Sequence, residues 1–306
     1  TALSSLLILL LAIFSSKIFT DNPYKIIILV LVYALGLYIS YIFLIIINVL
    51  LLPADVFIKE LLIFFAKNKI KKFNNLKIIG ISGSYGKTGM KDMIATVLAE
   101  KYQVVKTQES VNTPVGIGRT ILRDVNEKTE VLVIEMGEYY PGDIKNICLL
   151  APPQIGVITG INEAHFERLK SMDNSVRTIF EIAQNMKLDG LLLLNGKDKH
   201  IKSNYKKFVS DQEIYFYSSK GKVEFNEDAP GFIYQKIFFP VLGQYNLDKI
   251  DGVIYLAKKL GLTAAEIESG LKKIKTPAHR LQAILNREKN ILVIDDSYNG
   301  NPDGVE

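Results

Sequence analysis

Hydrophobic and polar positions divide the chain into two unlike parts. Ile26 to Leu52 is a run of 27 nearly unbroken apolar residues without a charge, softened only by Tyr33, Gly36, Tyr38, Ser40, Tyr41 and Asn48. As a helix it reaches roughly 40 Å, enough to cross roughly 30 Å of hydrocarbon with tilt. Ala2 to Phe14 is a second, shorter apolar run, and Thr20-Asp21-Asn22-Pro23 makes a polar connection between the two. A secretory signal is the competing reading of the first run, but no small-residue cleavage pattern follows it and a stronger span comes directly after. Residues 1–53 are therefore read as two transmembrane helices, with a buried helical hairpin as the alternative. Lysines 59, 67, 69, 71, 72 and 77 follow against the single acid Glu60. Basic residues this close to a span favour the cytoplasmic side, which puts the folded remainder on the cytoplasmic face of the cell (inner) membrane. Residues 54–75 form a basic juxtamembrane helix or linker. Its Val56, Ile58, Leu61, Leu62, Phe64 and Phe65 fit a helix lying on anionic membrane lipid and equally fit an ordinary linker helix with a solvated face.

From Leu76 onward short apolar runs alternate with helical stripes. Lys77–Ser82, Val131–Glu135, Ile155–Thr159 and Leu191–Asn195 read as strands, and Met90, Met93, Ile94, Val97 and Leu98 mark one helical face. A helix is predicted around Val176–Met186. Strand and helix taking turns implies an α/β fold with a parallel sheet, whose ligands sit at the carboxyl ends of the strands. Ile214–Val241 is β-rich and aromatic and reads as an antiparallel appendage. Two helices follow, Gln244–Leu260 and Thr263–Ile274, the second opened by Thr263 as N-cap with Glu266 three residues on. Leu281–Leu285 and Ile291–Asp295 are strands that begin something new.

Composition narrows the function classes. The net charge is 37 minus 32, or +5, and the stretch from Lys59 to Lys77 carries all of that excess, so the rest sums to zero. A nucleic-acid-binding surface would spread basic residues over the folded part, so DNA or RNA is not the expected partner. The single cysteine, Cys148, excludes a disulfide scaffold, a four-cysteine zinc ribbon and an iron–sulfur cluster held by this chain alone, and fits a reducing compartment.

The first motif with chemistry is Gly80-Ile81-Ser82-Gly83-Ser84-Tyr85-Gly86-Lys87-Thr88, placed between a predicted strand and a predicted helix. Gly83, Ser84 and Gly86 let backbone N–H groups turn toward an anion, and the helix N-terminus adds partial positive charge. Lys87 reaches the β- and γ-phosphates, and the Thr88 hydroxyl is suited to Mg²⁺. The spacing departs from the usual phosphate loop, which has glycine where Ile81 stands. Glu135 ends an apolar strand at the edge where phosphates would lie, and a carboxylate there can bridge to Mg²⁺. Arg280 is one of six arginines against 31 lysines, a usage that fits a planar fork for phosphate.

Together with Asn112-Thr113-Pro114-Val115-Gly116, Val133-Ile134-Glu135-Met136-Gly137 and Glu163-Ala164-His165-Phe166-Glu167, this loop resembles the Mur ligase family. So do Leu242-Gly243-Gln244-Tyr245-Asn246, His279-Arg280-Leu281 and Asp295-Asp296-Ser297-Tyr298-Asn299-Gly300-Asn301-Pro302. The motifs stand in the family's order, and the likeness covers Leu76 to Glu306. It implies an ATP-dependent amide-forming ligase of peptidoglycan synthesis. In that reading ATP phosphorylates a carboxylate of a muramyl-peptide substrate, and the amine of D-alanyl-D-alanine, or a similar amino-acid or dipeptide acceptor, attacks the acyl phosphate. The resemblance gives Asn112 a place near the γ-phosphate or acceptor, makes His165 a ligand of a second Mg²⁺, and sets Asn246 and Asp296 around the adenine and ribose. The catalytic set is then Lys87, Asn112, Glu135 and His165. The metal ligands are Thr88, Glu135 and His165. Residues 76–275 become the ATP-binding central domain, and 276–306 the start of a Rossmann-like C-terminal ligase domain.

The chain departs from the family in four places. Glu181 matches a glutamate that usually follows, by two residues, a carbamylated metal-ligating lysine, but Ile179 stands at the lysine position and Arg177 cannot replace it chemically. Asn and Gly are exchanged in Thr159-Gly160-Ile161-Asn162. Gln244 stands where arginine is frequent, and membrane helices replace the amino-terminal substrate domain. The chain begins at Thr1 and stops at Glu306 inside the last motif, so it is read as a piece of a longer protein. Ile179 leaves open a second reading, a membrane-tethered ATP-binding scaffold of a cell-wall complex in which ligase turnover is lost.

Overall fold

In the computed structural model the described residues are 23–163, 166–219, 224–225, 231–234, 237–239, 241–275, 282–286, 291–295 and 297. The first predicted span, Ala2–Phe14, lies outside them.

The chain divides into two units, Thr1–Leu61 and Leu62–Glu306. Helix α1, Pro23–Ile70, is a single 48-residue element that contains both the second predicted span and the basic segment after it, with Pro53 inside. Within its apolar stretch the polar side chains bond to their own helix: Ser40 Oγ donates to the Leu37 carbonyl at 2.8 Å and Asn48 Nδ2 to the Leu44 carbonyl at 2.9 Å. Internal satisfaction of this kind is what a helix needs where no water is available.

In the second unit, β1 (Lys77–Ser82), β2 (Val104–Lys106), β3 (Val131–Glu135), β4 (Ile155–Ile158), β5 (Leu191–Asn195) and β6 (Glu213–Tyr217) form one parallel sheet in the order β2-β3-β1-β4-β5-β6. The predicted parallel α/β architecture is thus present. The expectation that the aromatic segment from Ile214 is wholly antiparallel is corrected at its start. β6 pairs parallel with β5, from Leu191 opposite Glu213 to Asn195 opposite Tyr217. Tyr217 is fully buried there, so the start of the segment read as an antiparallel appendage belongs to the main parallel sheet. Among the described residues of that segment, β7 (Glu224–Phe225), β8 (Phe232–Tyr234) and β9 (Ile237–Phe239) make an antiparallel sheet.

Both sheet faces are covered, as parallel strands require. On one side Ile79 and Ile81 pack with α2 (Lys87–Leu98) and, further along the chain, α8 (Gln244–Lys259) and α9 (Ala264–Lys272). On the other, Ile78 packs with α3 (Pro114–Asp124), α4 (Asp143–Leu150) and α6 (Met172–Asn185), and the end of α1 contributes Ala66 and Ile70. Leu62 lies over Gly118 of α3, and Lys69 Nζ donates to the Leu122 carbonyl at 2.8 Å. Short helices α5 (Phe166–Leu169) and α7 (Lys199–Asn204) complete the connections. Thr263 and Glu266 form the predicted capping box of α9.

The strands expected near the end occur as β10 (Gln282–Asn286) and β11 (Ile291–Asp295), paired antiparallel. The described residues of that stretch make this hairpin and no parallel βαβ unit, so a Rossmann-like domain is not visible in them.

Because β1 lies between β3 and β4, the sheet order reverses at the carboxyl end of β1. Open α/β sheets form their ligand crevice at such a point.

Candidate functional site

The loop after β1 lies at that crevice. Gly83 (φ +133°) and Gly86 (φ +76°) both take the left-handed backbone that glycine alone adopts at no steric cost, and Gly86 is the N-cap of α2. A Cβ on Gly83 would strike Thr159 Oγ1 and the backbone of Gly160. The loop is bolted to the end of β4. The Thr159 hydroxyl donates to the carbonyls of Ser82, at 3.1 Å, and Tyr85, and Ser84 N–H donates to the Gly160 carbonyl at 2.8 Å. Ile81, which replaces the expected glycine, is fully buried beneath the loop as part of β1, so the turn starts later and needs its glycines later.

The exchanged Gly160 follows from the same packing. The Tyr85 ring lies directly on Gly160, where any side chain would collide with it, and Tyr85 Oη donates to Asp198 Oδ2 at 3.3 Å. Asp198 also accepts from the backbone N–H groups of Ile161, at 2.8 Å, and Ile201, at 2.9 Å, so one carboxylate ties loop, strand end and α7 together.

Of the residues singled out from sequence, Lys87, Asn112 and Glu135 gather at the carboxyl ends of β1 and β3. Register pairs Ile81 with Glu135. Lys87 Nζ donates back to the Gly83 carbonyl and, at 2.8 Å, to Glu138 Oε1. Thr88 follows in the first turn of α2 and is buried. Glu135 is almost fully buried, accepts from Asn112 Nδ2 at 3.5 Å and forms an ion pair with Lys91 at 3.1 Å. Its backbone N–H donates to Thr107 Oγ1 at 3.1 Å. Asn112 is held in turn, its carbonyl accepting from Gly137 N–H at 2.8 Å. Asn246 is buried at the start of α8, with Nδ2 donating to the Leu242 carbonyl at 2.6 Å. His165, Arg280 and Asp296 lie outside the described residues.

Sequence reading missed three charged residues here. Lys91 is fully buried on α2 and bonds the Glu109 carbonyl as well as Glu135. Its signal was a lysine set among buried Ile94, Ala95 and Leu98 at helical spacing. Glu138, three residues past Glu135, is 1% exposed and pairs with Lys87. Lys249, one turn past Asn246, is 7% exposed and donates to Asn246 Oδ1 at 3.1 Å. Buried charges are kept only where partners hold them, and their concentration at the carboxyl ends of β1 and β3 makes this end of the sheet the candidate site.

The family glutamate position has a different use. Glu181 accepts from the backbone N–H groups of Gly142, at 2.6 Å, and Lys145, at 2.9 Å, and so caps α4, while burial pushes its carboxyl above the usual range. Ile179 is fully buried in the core, and its carbonyl accepts from Ser82 Oγ at 3.3 Å. Among the described residues no cluster of three or more His, Cys, Asp or Glu side chains could hold a metal alone. The Thr88 hydroxyl and the Glu135 carboxylate are oxygen donors of the kind Mg²⁺ takes beside phosphate oxygens and water, and the Glu135 carboxylate is held by Lys91 and Asn112.

The profile of the Mur ligase middle domain matches residues 81–248. The chain is similar to UDP-N-acetylmuramoyl-tripeptide–D-alanyl-D-alanine ligase of Bacillus subtilis, at 29% identity over 75% of this chain and 51% of that protein. The enzyme of the same name from Borreliella burgdorferi is 32% identical over 74% of this chain and 50% of its own length. The chain therefore spans about half the length of the curated relatives it matches. Among solved structures, MurF ligase from Thermotoga maritima in complex with ADP superposes with a TM-score of 0.70 and 24% identity, covering 80% of this chain and 58% of that one. MurF from Acinetobacter baumannii gives 0.72 and 22%, covering 81% and 56%. At those identities the structural likeness speaks to the fold.

Proposed function

The chain belongs to the Mur ligase family, and on that footing we propose that it is the nucleotide-binding part of an ATP-dependent ligase that joins an amine to a muramyl peptide. D-alanyl-D-alanine, the acceptor in the names of its relatives, is the proposed amine. One observation carries the reading: the loop Gly83–Thr88, with its two left-handed glycines, opens α2 at the point where the sheet order reverses, and Glu135 ends the neighbouring strand.

The bound nucleotide would supply the phosphoryl group that turns a carboxylate oxygen into a leaving group. The backbone N–H groups at the start of α2 and the helix dipole hold the anion. Lys87, held over the loop by the Gly83 carbonyl and Glu138, turns to the phosphates and stabilises charge developing on the transferring group. Thr88 and Glu135 would hold Mg²⁺, with the Glu135 carboxylate positioned by Lys91 and, more weakly, by Asn112. His165 would complete a second metal position. Ile179, being apolar and buried, offers that position no ligand, so this chain's own residues favour one well-held cation.

The membrane part of the proposal rests on α1. Val30–Ile70 within it is long and apolar enough to cross a bilayer, and its apolar window is not buried by the protein. With the lysines that follow, this supports an anchored enzyme working at the cytoplasmic face on a nucleotide- or lipid-linked donor.

The test is phosphate release by the full-length protein given ATP, Mg²⁺, muramyl tripeptide substrate and D-alanyl-D-alanine. Release that needs both substrates and disappears in Lys87→Ala is the expected result. Nucleotide binding without such release would refute the ligase reading and leave the scaffold.

A further inference from the structure

The segments that leave the two strands flanking β1 meet each other. The sheet order runs β3-β1-β4, and Tyr139 and Tyr140 follow β3 while α5 follows β4. The Arg168 guanidinium of α5 lies over both rings, its Cζ 5.3 Å from the Tyr139 centroid and 5.7 Å from that of Tyr140. Each side of this contact is fixed. Asp143 Oδ2 accepts from the backbone N–H groups of Tyr139, at 3.1 Å, and Tyr140, at 2.8 Å. Gly137 lets the Tyr139 ring fold back on Asn112, because a Cβ there would stand 2.9 Å from Tyr139 Cε2 and 3.0 Å from Asn112 Oδ1. Tyr139 Oη donates to that Oδ1 at 3.5 Å, and Asn112 in turn donates to Glu135. On the other side Leu169 is buried with its carbonyl accepting from Asn174 Nδ2 at 2.8 Å, and Asn162 N–H donates to Ser84 Oγ of the phosphate loop at 3.2 Å.

Arg168 is thus connected to Glu135 through Tyr139 and Asn112, and to the phosphate loop through its own chain. The ring faces attract its charge, yet they offer no oxygen to its five N–H donors. Among the described residues it has no hydrogen bond or ion pair beyond these ring contacts. Tyr140 is 55% exposed, so this rim of the crevice stays open to a ligand. Resting on the ligase reading above, we propose that Arg168 binds the carboxylate of the muramyl peptide that is to be activated, with Tyr139 and Tyr140 as the shelf that orients the guanidinium. A carboxylate matches that planar fork with two parallel N–H···O bonds. Its place between the segments flanking β1 sets the carboxylate at the mouth of the crevice into which the phosphate loop opens. Arg168 takes no part in nucleotide binding and sets the affinity for the donor.

The test is calorimetric titration of muramyl tripeptide into the full-length wild-type protein, Arg168→Met, Arg168→Lys and Tyr140→Leu, each saturated with MgADP, with MgADP affinity measured separately. The titrations are repeated with a tripeptide in which the carboxylate to be activated is replaced by an amide. Arg168→Met is expected to weaken the tripeptide about tenfold or more, which corresponds to about 1.4 kcal/mol, and to leave MgADP affinity within twofold. Lysine at this position should recover only part of the loss, because an ammonium lacks the fork. Tyr140→Leu, which removes one ring of the shelf, should weaken the tripeptide by a smaller factor. The amide should bind the wild type about tenfold more weakly than the acid, and Arg168→Met should no longer distinguish the two. Tripeptide affinity within twofold of wild type in Arg168→Met would overturn the proposal. So would an equal loss of tripeptide and MgADP affinity, or an amide penalised as heavily in Arg168→Met as in the wild type. If the wild type binds MgADP but releases no phosphate with donor and acceptor present, the ligase reading fails and this inference fails with it. If it turns over and Arg168→Met keeps the wild-type KM for the tripeptide, the inference fails alone.

Discussion

Replacing Lys91 by methionine separates an ion pair that the fold has enclosed completely. The side chains of Lys91 and Glu135 are 0% and 3% exposed, with Nζ 3.1 Å from Oε2. Methionine has nearly the same length and removes only the charge and its hydrogen bonds. Glu135 would keep one long contact, from Asn112 at 3.5 Å, and the Glu109 carbonyl would lose its lysine. Leaving one member of a buried pair uncompensated costs about 3–5 kcal/mol. At roughly 2–4 °C per kcal/mol for a domain of this size, the melting temperature should fall by roughly 6–20 °C. The chain has no tryptophan and 15 tyrosines, so urea unfolding is followed by far-UV circular dichroism and tyrosine fluorescence. The cycle is closed with Glu135→Met and the double variant. An apolar pair of similar volume is often as stable as the ion pair it replaces, so the double variant should be more stable than Lys91→Met alone. A loss below about 1 kcal/mol in Lys91→Met, or single effects that simply add, would refute the view that these charges are held by each other.

Three further outcomes follow from particular residues. Gly86→Ala forces an L side chain into a left-handed φ beside Lys249, so it should cost about 1–2 kcal/mol of stability and weaken nucleotide binding, both read by melting with and without MgADP. Burial raises the Glu181 carboxyl, so the folded protein holds a proton at pH values where the unfolded chain has released it. Stability should therefore decline as pH rises from about 4.5 through the folded value, and Glu181→Gln should flatten that slope in urea unfolding at stepped pH. The Cys148 thiol is pushed up to about 12 by burial and by the nearby Glu181 carboxylate. It should resist iodoacetamide at a pH of about 8.5, where a free thiol is half ionised, and react only in urea, as read by intact-protein mass.

Much of this molecule was written locally. An uncharged apolar run of 27 residues declares a helix that suits a bilayer, because length and polarity are one-dimensional properties. The alternation of apolar strands with helical stripes declared a parallel sheet, and Gly83 and Gly86 before Lys87 declared a glycine turn opening a helix, because backbone freedom resides in consecutive positions. The Thr263–Glu266 capping box was legible for the same reason.

What the fold alone decided is which distant residues meet. Lys91, Glu138 and Lys249 come from α2, from the loop after β3 and from α8, and nothing in their local sequence says that Lys91 meets Glu135, that Glu138 meets Lys87 or that Lys249 lies against Gly86. β6 looked antiparallel because an aromatic alternating strand does not state its partner; the parallel pairing with Leu191–Asn195 supplies it. The exchanged Gly160 looked like a departure until the Tyr85 ring was seen lying on it. Pattern fixes what each segment prefers to be, whereas burial of charge and closeness of backbone are set by segments far apart in the chain, so only their tertiary meeting determines them.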